Sequence, residues 1–317
     1  EITGLVCFSG GKDSCAMFLR MIELDDPINY PITRICFADT NFEFPELYAY
    51  IDRIQKYLDL TYPEKGFVIE KLQADTTWDD WFYGEITRGN LVGKTRGAPL
   101  VTLPCWWSRE AKVKPLEKAA KEINATYQFI GIAADETNRV SKDPKKIRYP
   151  LVEWGWTEQD CMAYLDHLGL GNILYDDFNR LGCFHCIKQK ESNFHTLWAK
   201  PEYKELWEKA KFYSDENKRL TGRTWTASHD LDSLEKMFEK GYIPKSRVVD
   251  LECNTCNAVS FFSDGTVKME DFDTDDAIEH NPKWNDSPMK QEEIEKAKEE
   301  IEWIPPSQRN TKNLEWW

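Results

Sequence analysis

Apolar positions fall in two alternating textures along the first half of the chain. Residues 3–8 (TGLVCF) are near-continuously apolar and predict a strand buried on both faces. In the next segment, 12–25, Cys15, Phe18, Leu19 and Ile22 recur three and four apart, which predicts a helix. The same reading predicts strands over 32–40, 66–72 and 126–135, and helices over 44–60, 107–124 and 157–170. Pro45 suits a first helical turn, Thr157 suits an N-cap, and Pro115 makes the helix over 107–124 uncertain around its position. Strands and helices in strict alternation predict an α/β fold with a parallel sheet covered on both faces.

After residue 178 the texture changes to polar helices, many aromatics and paired cysteines. A chain of 317 residues exceeds the usual size of one core, so the expected boundary is there: 1–178 as an α/β domain, 179–317 as a smaller, mostly helical, cysteine-rich domain. Two segments of that domain have no predicted role: 269–282 reads as a solvated acidic loop, and 291–304 as an exposed amphipathic helix.

Composition narrows the classes. Apolar residues make up 41% of the chain, enough for a core, and no run reaches the ~20 apolar residues of a membrane span. No secretory leader pattern precedes the first strand, and the chain starts at Glu1, so native residues are expected to be missing ahead of it. The net charge of −14 argues against a broad nucleic-acid surface but leaves room for a local basic contact. Nine cysteines without a dense disulfide pattern fit a reducing cytoplasm. Most of the thirteen tryptophans are expected in packing.

Chemistry concentrates first between the strand 3–8 and the helix that follows it. Ser9-Gly10-Gly11-Lys12-Asp13-Ser14 puts two glycines where the backbone approaches a ligand, at the start of a helix whose free N–H groups favour an anion. Two hydroxyls and the Lys12 ammonium complete a cradle for phosphate oxygens. The spacing is not that of a Walker A loop.

This string matches the PP-loop of the N-type ATP pyrophosphatases. Four further segments resemble the phosphoadenosine-phosphosulfate (PAPS) reductase-like branch in order: FADTNFEFPELYAYI (37–51), CWWSREAKVKPL (105–116), IGIAADETNRV (130–140, with Thr137 where serine is usual) and RYPLVEWGWTEQDCMAYL (148–165). The resemblance covers about residues 3–190. It implies a five-stranded parallel sheet of the adenine-nucleotide α-hydrolase type, with ATP across the carboxyl ends of the strands and its pyrophosphate on Ser9–Ser14. Asp39 would contact the ribose or lie beside the adenine. Arg109, Lys112 and Arg139 would offset phosphate charge, and Asp13 or Asp135 would hold Mg²⁺.

Two CxxC pairs, Cys183/Cys186 and Cys253/Cys256, have the spacing of a tetrahedral four-thiolate site. Both Zn²⁺ and a [4Fe–4S] cluster accept four cysteines. The segment 182–210 resembles a cysteine segment that follows the PP-loop domain in phage and bacterial relatives, and a metal beside the nucleotide would favour iron–sulfur. His185, inside the first pair, is expected at the surface rather than as a ligand. Cys105 is expected either to face the cleft, as a persulfide carrier or a third-site ligand, or to be a buried, inert thiol. Cys7, Cys15, Cys36 and Cys161 lie on apolar faces and are expected in the core.

The leading functional expectation is an adenylating enzyme that cleaves ATP between its α and β phosphates, with sulfur transfer to a base, nucleotide or nucleic acid as the purpose. Its partners would be an unidentified acceptor, a sulfur-donor protein and a second copy of the chain. A PAPS reductase, an ATP-sulfurylase-like small subunit and a non-catalytic nucleotide-binding module are the alternatives. Against the reductase stands the segment 310–317, which has no cysteine where that chemistry expects one in a Glu-Cys-Gly-x-His-like tail. The aromatic segments WDDWFY (78–83) and CWW (105–107) are candidates for an acceptor pocket, for core or for a partner surface.

Overall fold

The computed structural model describes residues 2–88, 91–140 and 146–244. Five strands, β1 (Gly4–Phe8), β2 (Arg34–Ala38), β3 (Ile69–Leu72), β4 (Tyr127–Ile130) and β5 (Ile147–Arg148), form one sheet in the order β3-β2-β1-β4-β5. Every pairing is parallel, with Val6 opposite both Ile35 and Phe129. The expected α/β class and five-stranded parallel sheet are therefore present. The central strand β1 is almost wholly buried, whereas the edge strand β3 exposes Lys71 and pairs Glu70 with Arg34 of β2 at 2.7 Å. Short, charged edges resist pairing with a further chain.

The helices follow the predicted register closely. They are α1 (Lys12–Leu24), α2 (Pro45–Thr61), α3 (Trp78–Phe82), α4 (Trp106–Ser108), α5 (Lys114–Glu122), α6 (Pro150–Glu153) and α7 (Glu158–His167). Thr157 caps α7 as expected, in a reciprocal capping box with Asp160. The strand predicted over 126–135 stops at Ile130, because Gly131 carries the chain out of the sheet into a short 3₁₀ segment, Ala134–Arg139. The uncertainty around Pro115 is also settled. A π-helical stretch, Arg109–Val113, joins α4 to α5, and Pro115 falls in the first turn after it, where its missing N–H costs least.

Beyond residue 178 come α8 (Glu191–Ala199), α9 (Lys204–Thr221) and α10 (Leu231–Glu239). Their apolar faces do not close on themselves: Phe184, Phe194, Trp207 and Phe238 belong to the same buried cluster as Val6, Phe18 and Phe129. The rest of the expected second domain, from residue 245, lies outside the described residues. No described helix is long and apolar enough to cross a membrane.

Candidate functional site

In this strand order the chain steps from β1 through β2 to β3 on one side, then returns to β4 on the other side of β1. The crevice at the carboxyl ends of β1 and β4 is the place where such sheets bind ligands. Residues 9–14 leave β1 there and residues 131–139 leave β4 there.

The loop 9–14 is tied together by its own hydroxyls. Ser14 Oγ accepts from Ser9 N–H at 3.1 Å, lies 2.9 Å from Ser9 Oγ, and donates to the Gly11 carbonyl at 3.1 Å. Gly10 has a φ of 73°, and a Cβ there would meet Leu47 Cδ1 of α2 at 2.8 Å, so both conformation and packing demand glycine. On the other flank Gly131 brings β4 so close that a Cβ would lie 2.5 Å from Ser14 Cα. Two residues from far along the chain fasten the loop: Asn172 Nδ2 donates to the Gly10 carbonyl at 3.3 Å, and the Tyr175 hydroxyl accepts from Lys12 N–H at 3.0 Å.

Lys12 is 7% exposed. Its Nζ lies 2.7 Å from Glu158 Oε2 and 3.3 Å from Asp13 Oδ2. Burial disfavours its charge, but Asp13, Tyr175 and Glu158 outweigh that and hold the ammonium protonated well above the ordinary range. Asp13 moves the other way. Burial pushes its carboxyl up to about 6, Glu158 and Glu136 reinforce the shift, and Lys12 only partly opposes it. Asp13, Glu136 and Glu158 each bring one carboxylate oxygen within 4.8 Å of the others. An all-oxygen donor set suits a hard cation such as Mg²⁺ and would supply charge neutralisation next to bound phosphates.

The other expected residues divide between this cluster and the β2 end of the sheet. Arg139 joins the cluster by pairing with Glu136. Asp135 does not; it is exposed and accepts from Glu158 N–H at 3.2 Å, ahead of α7. Lys112 pairs with buried Glu43 at 3.2 Å, and Glu43 in turn accepts from Thr40 Oγ1 at 3.0 Å. Arg109, one turn earlier, is exposed. Asp39, fully buried at the end of β2, accepts from the Tyr48 hydroxyl at 2.6 Å and pairs with Lys71 at 2.8 Å.

The first cysteine pair returns to the same edge. Cys183 Sγ lies 3.3 Å from Thr40 Oγ1, Phe184 N–H donates to the Phe42 carbonyl at 2.9 Å, and Cys186 N–H closes a turn on the Cys183 carbonyl at 3.0 Å. Two thiols in one such turn suit zinc or an iron–sulfur cluster as half of a four-thiolate set. The other half, Cys253 and Cys256, lies outside the described residues.

A family model for the phosphoadenosine phosphosulfate reductase domain matches residues 4–189, a span that begins in β1 and ends just past the Cys183/Cys186 turn. The chain belongs to that family. Among its relatives is a phosphoadenosine 5'-phosphosulfate reductase of Proteus mirabilis, 25% identical over 39% of this chain and 48% of the relative. A reductase of the same description from Alteromonas mediterranea is 22% identical over 62% of this chain and 64% of the relative. An uncharacterized 37.8 kDa protein of Escherichia phage 186 is 23% identical over 74% and 82%. The chain thus spans between about half and two-thirds of the two reductases.

Within this reductase-domain frame, the structure corrects one expectation outright. His185 is not a surface residue; it is 2% exposed, stacked on Phe42 with ring centroids 4.0 Å apart and flanked by Trp78 at 4.8 Å. Burial, with Lys209 adding to it, pushes its pKa down to about 3. Cys15, Cys36 and Cys161 are buried as expected, and half-buried Cys7 packs between two apolar clusters. Burial pushes the thiols of Cys7, Cys15 and Cys36 up to about 12, which removes them as nucleophiles. Cys105 is half-buried, and its Sγ accepts from Ser108 N–H at 3.4 Å.

Glu136, Glu158 and Tyr175 were not legible as site residues. Glu158 looks like an ordinary first-turn acid behind the Thr157 cap, and Tyr175 sits in a segment, ILYDDF, with no motif of its own. Glu136 carried a weak signal, one residue from the expected Asp135.

Proposed function

We propose that this chain is an enzyme acting on an adenosine phosphosulfate-type nucleotide, held across the carboxyl ends of β1 and β4. The observation that carries this reading is the tied Ser9–Ser14 loop at the sheet's switch point, in a chain that matches the reductase domain over 4–189. The Lys12 ammonium, kept charged in a buried setting, would engage the phosphate and stabilise charge that develops on the departing nucleotide. A thiolate would attack the sulfate sulfur, its electron pair forming the S–S bond while the sulfur–oxygen bond to the nucleotide breaks and the nucleotide leaves with that pair. Cys183, at the β2 edge, is the candidate thiol that the fold brings to this end of the sheet. A four-thiolate metal would instead occupy it, so the two roles exclude each other.

A second reading, ATP cleavage between the α and β phosphates, is supported by a specific observation: the Asp13, Glu136 and Glu158 carboxylates beside the loop suit a Mg²⁺-bound polyphosphate. There an acceptor oxygen attacks the α phosphorus and pyrophosphate departs with the bonding electrons.

One experiment divides them. The full chain is incubated with phosphoadenosine phosphosulfate and a dithiol, and separately with ATP and Mg²⁺. Sulfite release in the first supports the first reading, and pyrophosphate release in the second supports the other. If calorimetry detects binding of neither nucleotide, both are wrong.

A further inference from the structure

We propose that Glu158 is an electrostatic gate on the anion loop: its carboxylate occupies the Lys12 ammonium, and an anion reaches that cation only when the Glu158 side chain turns away. The proposal rests on the reading above in one respect, that Lys12 is the group that receives the anion.

The occupation of the loop's donors is the first observation. Ser9 N–H is taken by Ser14 Oγ at 3.1 Å, Gly11 N–H by Ser9 Oγ at 3.3 Å, and Lys12 N–H by the Tyr175 hydroxyl at 3.0 Å. The Lys12 ammonium is taken by Glu158 at 2.7 Å and Asp13 at 3.3 Å. An anion that binds any of these groups displaces one of the chain's own oxygens. A carboxylate resists most, because it carries the same sign of charge as the incoming group.

Which partner yields is the second. Tyr175 is fixed: Asn172 bonds the Gly10 carbonyl and caps the turn that carries Tyr175 through Leu174 N–H at 3.0 Å, and the flanking Leu174 and Phe178 are buried. Glu158 differs. Its side chain is 42% exposed against 9% for that of Lys12, so it forms the solvent side of the pair. Its backbone is held independently of its carboxylate. The Glu158 N–H donates to Asp135 Oδ1 at 3.2 Å, and the capping box of α7 uses Thr157 and Asp160. The carboxylate therefore rotates into water while helix and loop keep their places. A half-exposed ion pair opens easily, so the gate is shut without being locked.

Charge balance is the third. Lys12 and Arg139 meet Asp13, Glu136 and Glu158 here, two bases against three acids. Glu158 thus opposes an anion twice, by holding the cation and by leaving the cluster with an excess acid on its exposed side. Neutralising that one residue balances the cluster and leaves the Lys12 ammonium to the ligand. An exposed charge of this kind acts on the rate of association as well as on affinity.

The test titrates the full chain with inorganic pyrophosphate by calorimetry, at low salt and in EDTA so that no divalent cation takes part. Glu158→Gln should bind pyrophosphate about fivefold more tightly than wild type, the size of effect a half-exposed ion pair commands. Asp135→Asn removes a neighbouring acid that forms no ion pair with Lys12 among the described residues, so its gain should stay below about twofold. Adding Lys12→Ala to Glu158→Gln should erase the gain. Circular dichroism verifies the fold of each variant; if Glu158→Gln unfolds, Glu158→Ala decides. The proposal is overturned if Glu158→Gln binds no more tightly than wild type, if Asp135→Asn gains as much, or if the gain survives the loss of Lys12. Should nucleotides bind wild type while Glu158→Gln gains nothing, the gate falls and the nucleotide reading stands. Should neither pyrophosphate nor nucleotides bind any form of the chain, both fall.

Discussion

The loop 9–14 and the tryptophan lobe of α3 and α4 are both at the carboxyl edge of one sheet, and they are built in opposite ways. The loop is six consecutive residues held by short polar bonds between their own serines, and its one cation is a buried lysine among carboxylates. The lobe gathers Trp78, Trp81, Trp106 and Trp107 from two stretches of chain, and His185 and Tyr213 from a third and a fourth, into a packed aromatic mass. The first is preorganised by local hydrogen bonds and the second by burial. The first has the form of a compact cradle; the second is a broad packed surface.

That contrast breaks most easily at the centre of the lobe. Trp78 is 6% exposed and touches Phe42, Trp106, Trp107 and His185, so Trp78→Ala should cost about 3–5 kcal/mol of stability in chemical denaturation. If the loss is below about 1 kcal/mol, the aromatic mass is not a packed unit. Lys12→Ala comes next. It should lower nucleotide affinity about 100-fold, since a buried charge-assisted contact is removed and Asp13 and Glu158 are left unopposed, while the melting transition moves little. Calorimetric titration checks this, and an unchanged affinity would remove the loop from the site.

Gly131→Ala sharpens the comparison from the sheet side. Its Cβ would enter the space of the Ser14 backbone, so about 1–3 kcal/mol of stability and much of the nucleotide affinity should go together. Such coupling should not appear for variants of Trp81, which lies outside the loop.

The smallest effect at neutral pH belongs to His185. Its folded pKa is near 3 against an ordinary value of 6.5, so below 6.5 the unfolded chain takes up a proton that the folded chain refuses. Stability contributed by the neutral ring is therefore full above pH 6.5 and declines as pH falls towards 3. The slope from this group alone is about 1.4 kcal/mol per pH unit. His185→Phe, which keeps the stacking on Phe42, should be nearly neutral at pH 7 and flatten that slope in urea unfolding between pH 4 and 6.5. An undiminished slope would assign the acid sensitivity to other groups.

Pro115, Thr157 and the serines of the loop illustrate what could be read in advance and how far. Capping, the strand–helix alternation and the phosphate-cradle spacing act over a few residues, so each leaves a mark in sequence. Asp135 against Glu136 marks the limit: the segment leaving β4 was recognisable, but only its 3₁₀ turn selects which carboxylate faces Asp13. His185 was misplaced for a related reason. A polar residue between two cysteines reads as exposed, and nothing local announces that Phe42, Trp78 and Trp225 will enclose it.

By itself the sequence determined the α/β alternation, the place of the Ser9–Ser14 turn between β1 and α1, and the family to which residues 4–189 belong, because periodicity and backbone constraints are short-range properties. The fold alone decided that Tyr175 and Glu158 would meet Lys12, that Glu136 would meet Asp13, and that Cys183 would return to Thr40 at the end of β2. These encounters join residues more than a hundred positions apart. They exist only once the parallel sheet and its crossover helices have fixed where each strand ends.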